Sequence, residues 1–224
     1  GGLGDEEDLK HPIAYIADDA PSFSYDHSIL IDPTTILRSK KLSFRSFDKG
    51  TPIYAMGLLE STDQDIHIQA QGDVYLHHLI AARNLHIETT GRVFLGDQAW
   101  VGGTVNIKAK DIHVSKGLSS VGKAFLQASH VLNIEGSVTS EEKVVLKGTK
   151  GLNIGGPVAS RGKLKAKSQG DIKQQGFLYS GDILKVKGKA FTKRGQILSE
   201  GPLKVSTENN IENQEGNIAS LSTS

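Results

Sequence analysis

Lysine offers the most chemistry in this chain. Between Glu141 and Lys204, fourteen Lys and Arg side chains (Lys143, Lys147, Lys150, Arg161, Lys163, Lys165, Lys167, Lys173, Lys185, Lys187, Lys189, Lys193, Arg194, Lys204) oppose five acids, an excess of nine. Lys147, Lys167 and Lys187 share one spacing, and Lys165, Lys185 and Lys204 share another. Amines repeated along a surface could hold a polyanion such as a sulfated glycan, lipopolysaccharide or nucleic acid. The favoured reading is plainer: a solvated basic face that keeps exposed strands from pairing edge to edge. No aromatic residues interleave with the lysines, which argues against nucleic acid.

Three other sets invite a chemical reading. Tyr75, Phe94 and His113 recur one repeat apart, followed by Asn133 and Asn153. Aromatic side chains in an outward row make an apolar patch, and such patches mark contact. The occupant could be a glycan ring, another protein, or residues 1–65 folding back along the chain to pack Phe23, Phe44 and Phe47; the fold-back is preferred. His67 and His86 also recur one repeat apart, and His77-His78 reads as a corner. Paired histidines can bind metal or sense pH, but a structural zinc site needs four ligands and none completes this pair. No metal or other cofactor is expected. Carboxylates give no catalytic pair: the position of Asp73 holds Arg92 in the next repeat, Asp111 lies a further repeat on, and Glu141-Glu142 reads as an exposed corner. General acid–base work needs a positioned pair, so no enzyme is expected.

The elements that must position these residues form a repeat. Starting at Ile66, Leu85, Val105, Ala124, Val144, Leu164, Leu184 and Leu203, segments of 19 or 20 residues fall into register. Each opens on two apolar positions one residue apart, and most have a second pair, such as Val93/Leu95 or Leu132/Ile134. Most reach a third apolar site before small residues: Ile80, Leu118, Val138, Val158, Leu178, Ile197 and Ile218. Alternation along a strand sends positions 1 and 3 inward and 2 and 4 outward. Helical, leucine-rich, hexapeptide and calcium-binding repeats lack their signatures here. An all-β parallel β-helix of eight regular coils, about 20 residues each, remains. Gly72, Gly91, Gly136, Gly151, Gly176, Gly195 and Gly216 read as corners adopting positive φ.

Before the repeats, residues 1–28 read as an irregular acidic lead-in, and 29–65 as irregular rungs or a cap. Ile29–Ile31, Leu42–Phe44 and Ile53–Leu59 read as strands, with Asp32-Pro33 as a turn. Residues 66–220 form the repeats and 221–224 a tail. The net charge of +1 does not point to nucleic acid or membrane, and the lack of cysteine excludes disulfides and cysteine-based zinc sites. No apolar run approaches a transmembrane span. The opening GGLGDEEDLK lacks both Met and a signal-peptide core, so a piece of a longer chain is expected.

The string GDILKVKGKAFTKRGQILSEGPLKVSTENNIENQEGNIAS at 181–220 resembles filamentous haemagglutinin repeats, with apolar-x-apolar strands, a Gly near each corner and the closing Asn-Gln-x-Gly-x-Ile of 213–218. Such repeats occur in large exoproteins of bacterial two-partner secretion systems, including contact-dependent inhibition proteins. The resemblance implies a right-handed β-helical shaft, secreted or held at the bacterial surface. It also implies an outer-membrane transporter for the parent protein, and a receptor or glycan on a host or neighbouring cell as partner. It implies no activity. The expected function is a shaft or display segment for adhesion or contact-dependent toxin delivery. The alternatives are a polyanionic-glycan-binding module using the six lysines, and a polymer of the bactofilin type.

Overall fold

The computed structural model describes residues 14–15, 22–25, 29–209, 211–213 and 216–221. These form a parallel β-solenoid, without helix among the described residues. Most of the acidic lead-in lies outside them. Three faces run its length. The first stacks ten strands, including all eight that open the expected repeats, from Ile66–Ala70 to Leu203–Thr207; Leu42–Ser46 and Ser22–Tyr25 extend it upstream. The second carries Arg92–Leu95, Asp111–Val114, Val131–Ile134, Gly151–Ile154 and Asp171–Gln174; the third carries Gln98–Val101, Gly117–Ser120, Ser137–Ser140, Val158–Ser160 and Leu178–Ser180. Every ladder is parallel.

Alternation supplies the core. Ile107, Leu126, Leu146, Ala166 and Val186 stack on the first face, and Val93, Ile112, Leu132, Leu152 and Ile172 on the second; all are buried. A single coil cannot bury its own apolar edge, so each is stabilised by the coils above and below. Leu203 and Val205 are only partly buried.

Residues 29–65 belong to the stack. Leu42–Ser46 pairs with Ile66–Ala70, Ile53–Ser61 pairs with Val74–Ala81, and Ile36–Ser39, which the sequence pattern misses, pairs with Ile53–Ser61. Asp32 accepts the Thr35 N–H to close the expected turn. Phe44 is 1% exposed, inside the solenoid. This overturns the fold-back of 29–65: the segment stacks as further coils at the end of the array, with Phe44 inside, and so extends the solenoid instead of lying along its side.

Two expectations need correction. Ile80 points outward, and Leu79 is the buried residue in register with Ala99 and Leu118. His77-His78 does mark a corner: Val74–Ala81 is one strand, but both histidines face outward and break its alternation where it passes from the second face to the third. The glycines serve a different purpose from the one expected: among the described residues only Gly216 has positive φ. Gly136, Gly156 and Gly176 instead occupy points where successive coils touch, and a Cβ there would overlap the Lys116, Gly136 and Gly156 carbonyls respectively. Gly151 is no corner; it opens the strand Gly151–Ile154.

A buried serine column closes five successive coils. Ser120, Ser140, Ser160, Ser180 and Ser199 are in register at the inward end of the third face. Ser140 Oγ donates to the Gly122 carbonyl at 2.6 Å and accepts the Glu142 and Lys143 N–H groups. Ser180 Oγ lies 2.9 Å from the Gly162 oxygen and 3.0 Å from that of Ile183. A buried hydroxyl thus satisfies corner backbone groups that the sheet ladders cannot reach.

Candidate functional site

The lysines converge on the first face. Lys147, Lys167 and Lys187 are in direct register at its fourth position, and Lys165, Lys185 and Lys204 at its second. A third column, which sequence reasoning did not separate, stands at the preceding corner: the carbonyls of Lys123, Lys143 and Lys163 accept from Val105, Ala124 and Val144. Neighbouring coils sit about 4.8 Å apart, so six amines on the sheet face and three at its leading corner lie close together. Among the described residues none of the nine has a carboxylate partner. The Lys143 ammonium is held below the ordinary lysine pKa, first by partial burial and then by Lys165, Lys163 and Lys123.

Not all fourteen basic residues share this face. Lys193 is 0% exposed: it points into the core, in register with Gln174, and its Nζ donates to Asn213 Oδ1 at 3.2 Å. Alternation decides this, because Lys193 follows Phe191 at an inward position. Lys173 faces outward on the second face.

Tyr75, Phe94 and His113 do form one outward column, and Tyr54, which the repeat pattern does not include, heads it. Tyr54 and Tyr75 stack at 4.9 Å between centroids, and Phe94 and His113 at 5.0 Å. Polar contacts close the lower end. His113 Nε2 meets Glu135 at 3.0 Å, and Asn133 Nδ2 donates to His113 Nδ1. Tyr54 is 38% exposed. The Tyr75 phenol is shifted upward by burial and then by the Asp73 charge.

His67 and His86 lie in register with ring centroids 4.8 Å apart, edge to face. Burial, followed by the charge of His86, lowers the His67 pKa. Among the described residues no group of three or more His, Cys, Asp or Glu could hold a metal. The carboxylates have basic partners: Arg92 pairs with Asp73 at 3.4 Å, and His130 Nδ1 meets Asp111 at 2.7 Å. An arginine between Asp73 and Asp111 holds Asp73 in an ion pair, so these two carboxylates do not form an acid–base couple.

Against this geometry, a family model described as the haemagglutinin repeat matches residues 100–215. The chain belongs to the haemagglutinin-repeat family. No curated protein and no solved structure matches it. The matched stretch of this haemagglutinin-repeat protein contains the six candidate lysines and His113, whereas Tyr54, Tyr75 and Phe94 precede it. The family is of a structural, adhesin type and is not usually catalytic. Such repeats are found in secreted surface adhesins, and the family suggests a two-partner-secretion context. No helix among the described residues is long and apolar enough to cross a membrane.

Proposed function

We propose that this haemagglutinin-repeat segment is a stiff shaft of a secreted bacterial surface protein, used in adhesion or in contact-dependent toxin delivery. One observation carries the reading. From Val105 to Val186 each coil pairs in parallel register with the next on all three faces. In such a solenoid each coil contacts only its neighbours, so length and not a unique pocket is what the repeat specifies. The parent protein would reach the surface through an outer-membrane transporter and meet a receptor on a host or neighbouring cell.

Coil deletion in the surface-displayed parent protein tests this. Removing residues 144–163 takes out one whole coil. Adhesion or delivery should fall with coil number and return when a copy of the next coil replaces the missing one. Activity that depends on the identity of the deleted coil, at constant coil number, would sink the shaft reading.

The lysine field favours a second reading, a polyanionic-glycan-binding face built on Lys147, Lys165, Lys167, Lys185, Lys187 and Lys204. Mutually repelling amines without carboxylate partners gain most from an anionic polymer that bridges several coils. Retention on a heparin column should fall when Lys165, Lys185 and Lys204 are replaced by Ser. Elution at low salt that the replacement leaves unchanged would remove this reading.

A further inference from the structure

The third face carries a trough that the lysine and aromatic columns do not touch. Its outward column runs Ile80, Trp100, Ser119, Thr139, Ala159, Tyr179. Large side chains stand at the two ends and three small ones between, leaving a groove of about 550 Å³ walled on one side by Val121, Glu141 and Arg161. Trp100 is 52% exposed although it sits in a strand with partners on both sides. The Glu200 carboxylate near the Tyr179 phenol pushes its pKa up. Four coil steps separate Trp100 from Tyr179, roughly 19 Å.

We propose that this trough binds a linear, uncharged polysaccharide lying along the solenoid axis. The floor is apolar, relieved by the hydroxyls of Ser119 and Thr139, which lie 2.7 Å apart and can donate to each other or to a ligand. The rim charges, Glu141 and Arg161, are of opposite sign, so the groove does not select a charged occupant as the lysine face does. A peptide fits poorly. The floor strands are already paired on both sides, so none offers a free edge. A peptide laid along the axis would therefore leave its own amides unpaired over an apolar floor. A sugar chain has no amides in its backbone. Its C–H faces stack on indole and phenol rings, which present an apolar body with a polar tip, and its hydroxyls reach the serine and threonine. A regular polymer also suits a floor that repeats at each coil.

Trp100 is the single tryptophan of the chain, so its emission reports this site directly. The described protein would be titrated with neutral hexasaccharides of β-1,4-glucose, α-1,4-glucose and β-1,4-N-acetylglucosamine. At least one should shift the emission saturably. Ala159→Arg, which fills the floor at an outward position, should weaken that binding at least about tenfold, and Tyr179→Ala by a similar factor. Lys185→Ser should leave it unchanged. Denaturation midpoints of both groove variants would establish that they fold. No saturable shift with any of the three sugars would overturn the proposal. So would equal binding by Ala159→Arg, or a shift produced only by sulfated oligosaccharides. Sedimentation showing that two copies of the chain pair through the groove, with Ala159→Arg monomeric, would overturn it as well.

Discussion

Gly176 lies so close to Gly156 of the preceding coil that a Cβ on Gly176 would overlap the Gly156 carbonyl. The contact is backbone on backbone, and neither coil can yield without breaking its ladders. Gly176→Ala should therefore cost about 2–4 kcal/mol, as for other strained core changes. Gly151→Ala is the control: its Cβ would meet nothing nearer than Val131 Cγ2 at 3.7 Å. It should be neutral, or stabilising by up to about 0.5–1 kcal/mol, since glycine costs that much within a strand. Urea unfolding of both variants checks the pair. Equal midpoints would refute close approach as the reason for glycine at 176.

Ser160 makes a similar argument for the serine column. Its hydroxyl lies 3.0 Å from the Lys163 carbonyl and 3.3 Å from that of Glu142, with the residue 1% exposed. Ser160→Ala removes the donor and leaves corner carbonyls short of a partner. The expected loss is about 1–3 kcal/mol, read by the same unfolding measurement. Ser119→Ala, on the exposed side of the same face, should lose less.

The lysine columns predict a salt dependence. If heparin spans them, each lysine removed from 165, 185 or 204 should lower the slope of log K against log salt by about one. A slope that stays constant would mean these amines do not touch the polyanion. Lys165→Ser should also raise the Lys143 pKa part of the way to its ordinary value. The return is partial because burial, the first cause of the shift, remains. Amine-labelling rates at Lys143 against pH measure it.

His67 predicts an acid sensitivity. Its folded pKa lies below its ordinary value, through burial and then His86. Above about pH 6.5, both folded and unfolded imidazoles are neutral and the shift has no effect on stability. As pH falls through that value the unfolded chain takes up the proton first, so the folded state loses stability on the acid side. The effect is small because His67 is largely exposed. His67→Gln should flatten this part of the pH–stability curve, and His86→Asn should raise the His67 pKa while leaving it below ordinary. An imidazole titration by NMR that placed His67 at or above the ordinary value would contradict the geometry.

How far sequence reading reached depended on what period alone can carry. A spacing of 19 or 20 residues places Lys165 beside Lys185 and Tyr75 beside Phe94, and both registers are present. The same alternation makes Leu132 and Leu152 core. Period says less about phase where the pattern bends. Ile80 and Leu79 are adjacent and both apolar, so only the pairing of Leu79 with Ala99 decides which faces in. Lys193 reads as surface charge because its type is polar, yet its phase is that of Phe191. Tyr54 escapes the pattern because its strand pairs through a register shift between Ala55 and Leu58, which the regular spacing does not foresee.

Residue order alone dictates the all-β repeat, its coil length and the columns of like residues, because side-chain alternation and a fixed period are local properties of the chain. Stacking in three dimensions settles the rest: glycines mark contact between coils, serines cap corners from inside, and Trp100 and Tyr179 bound a trough. Those facts depend on what the neighbouring coil places about 4.8 Å away, and no local property of the chain carries that information.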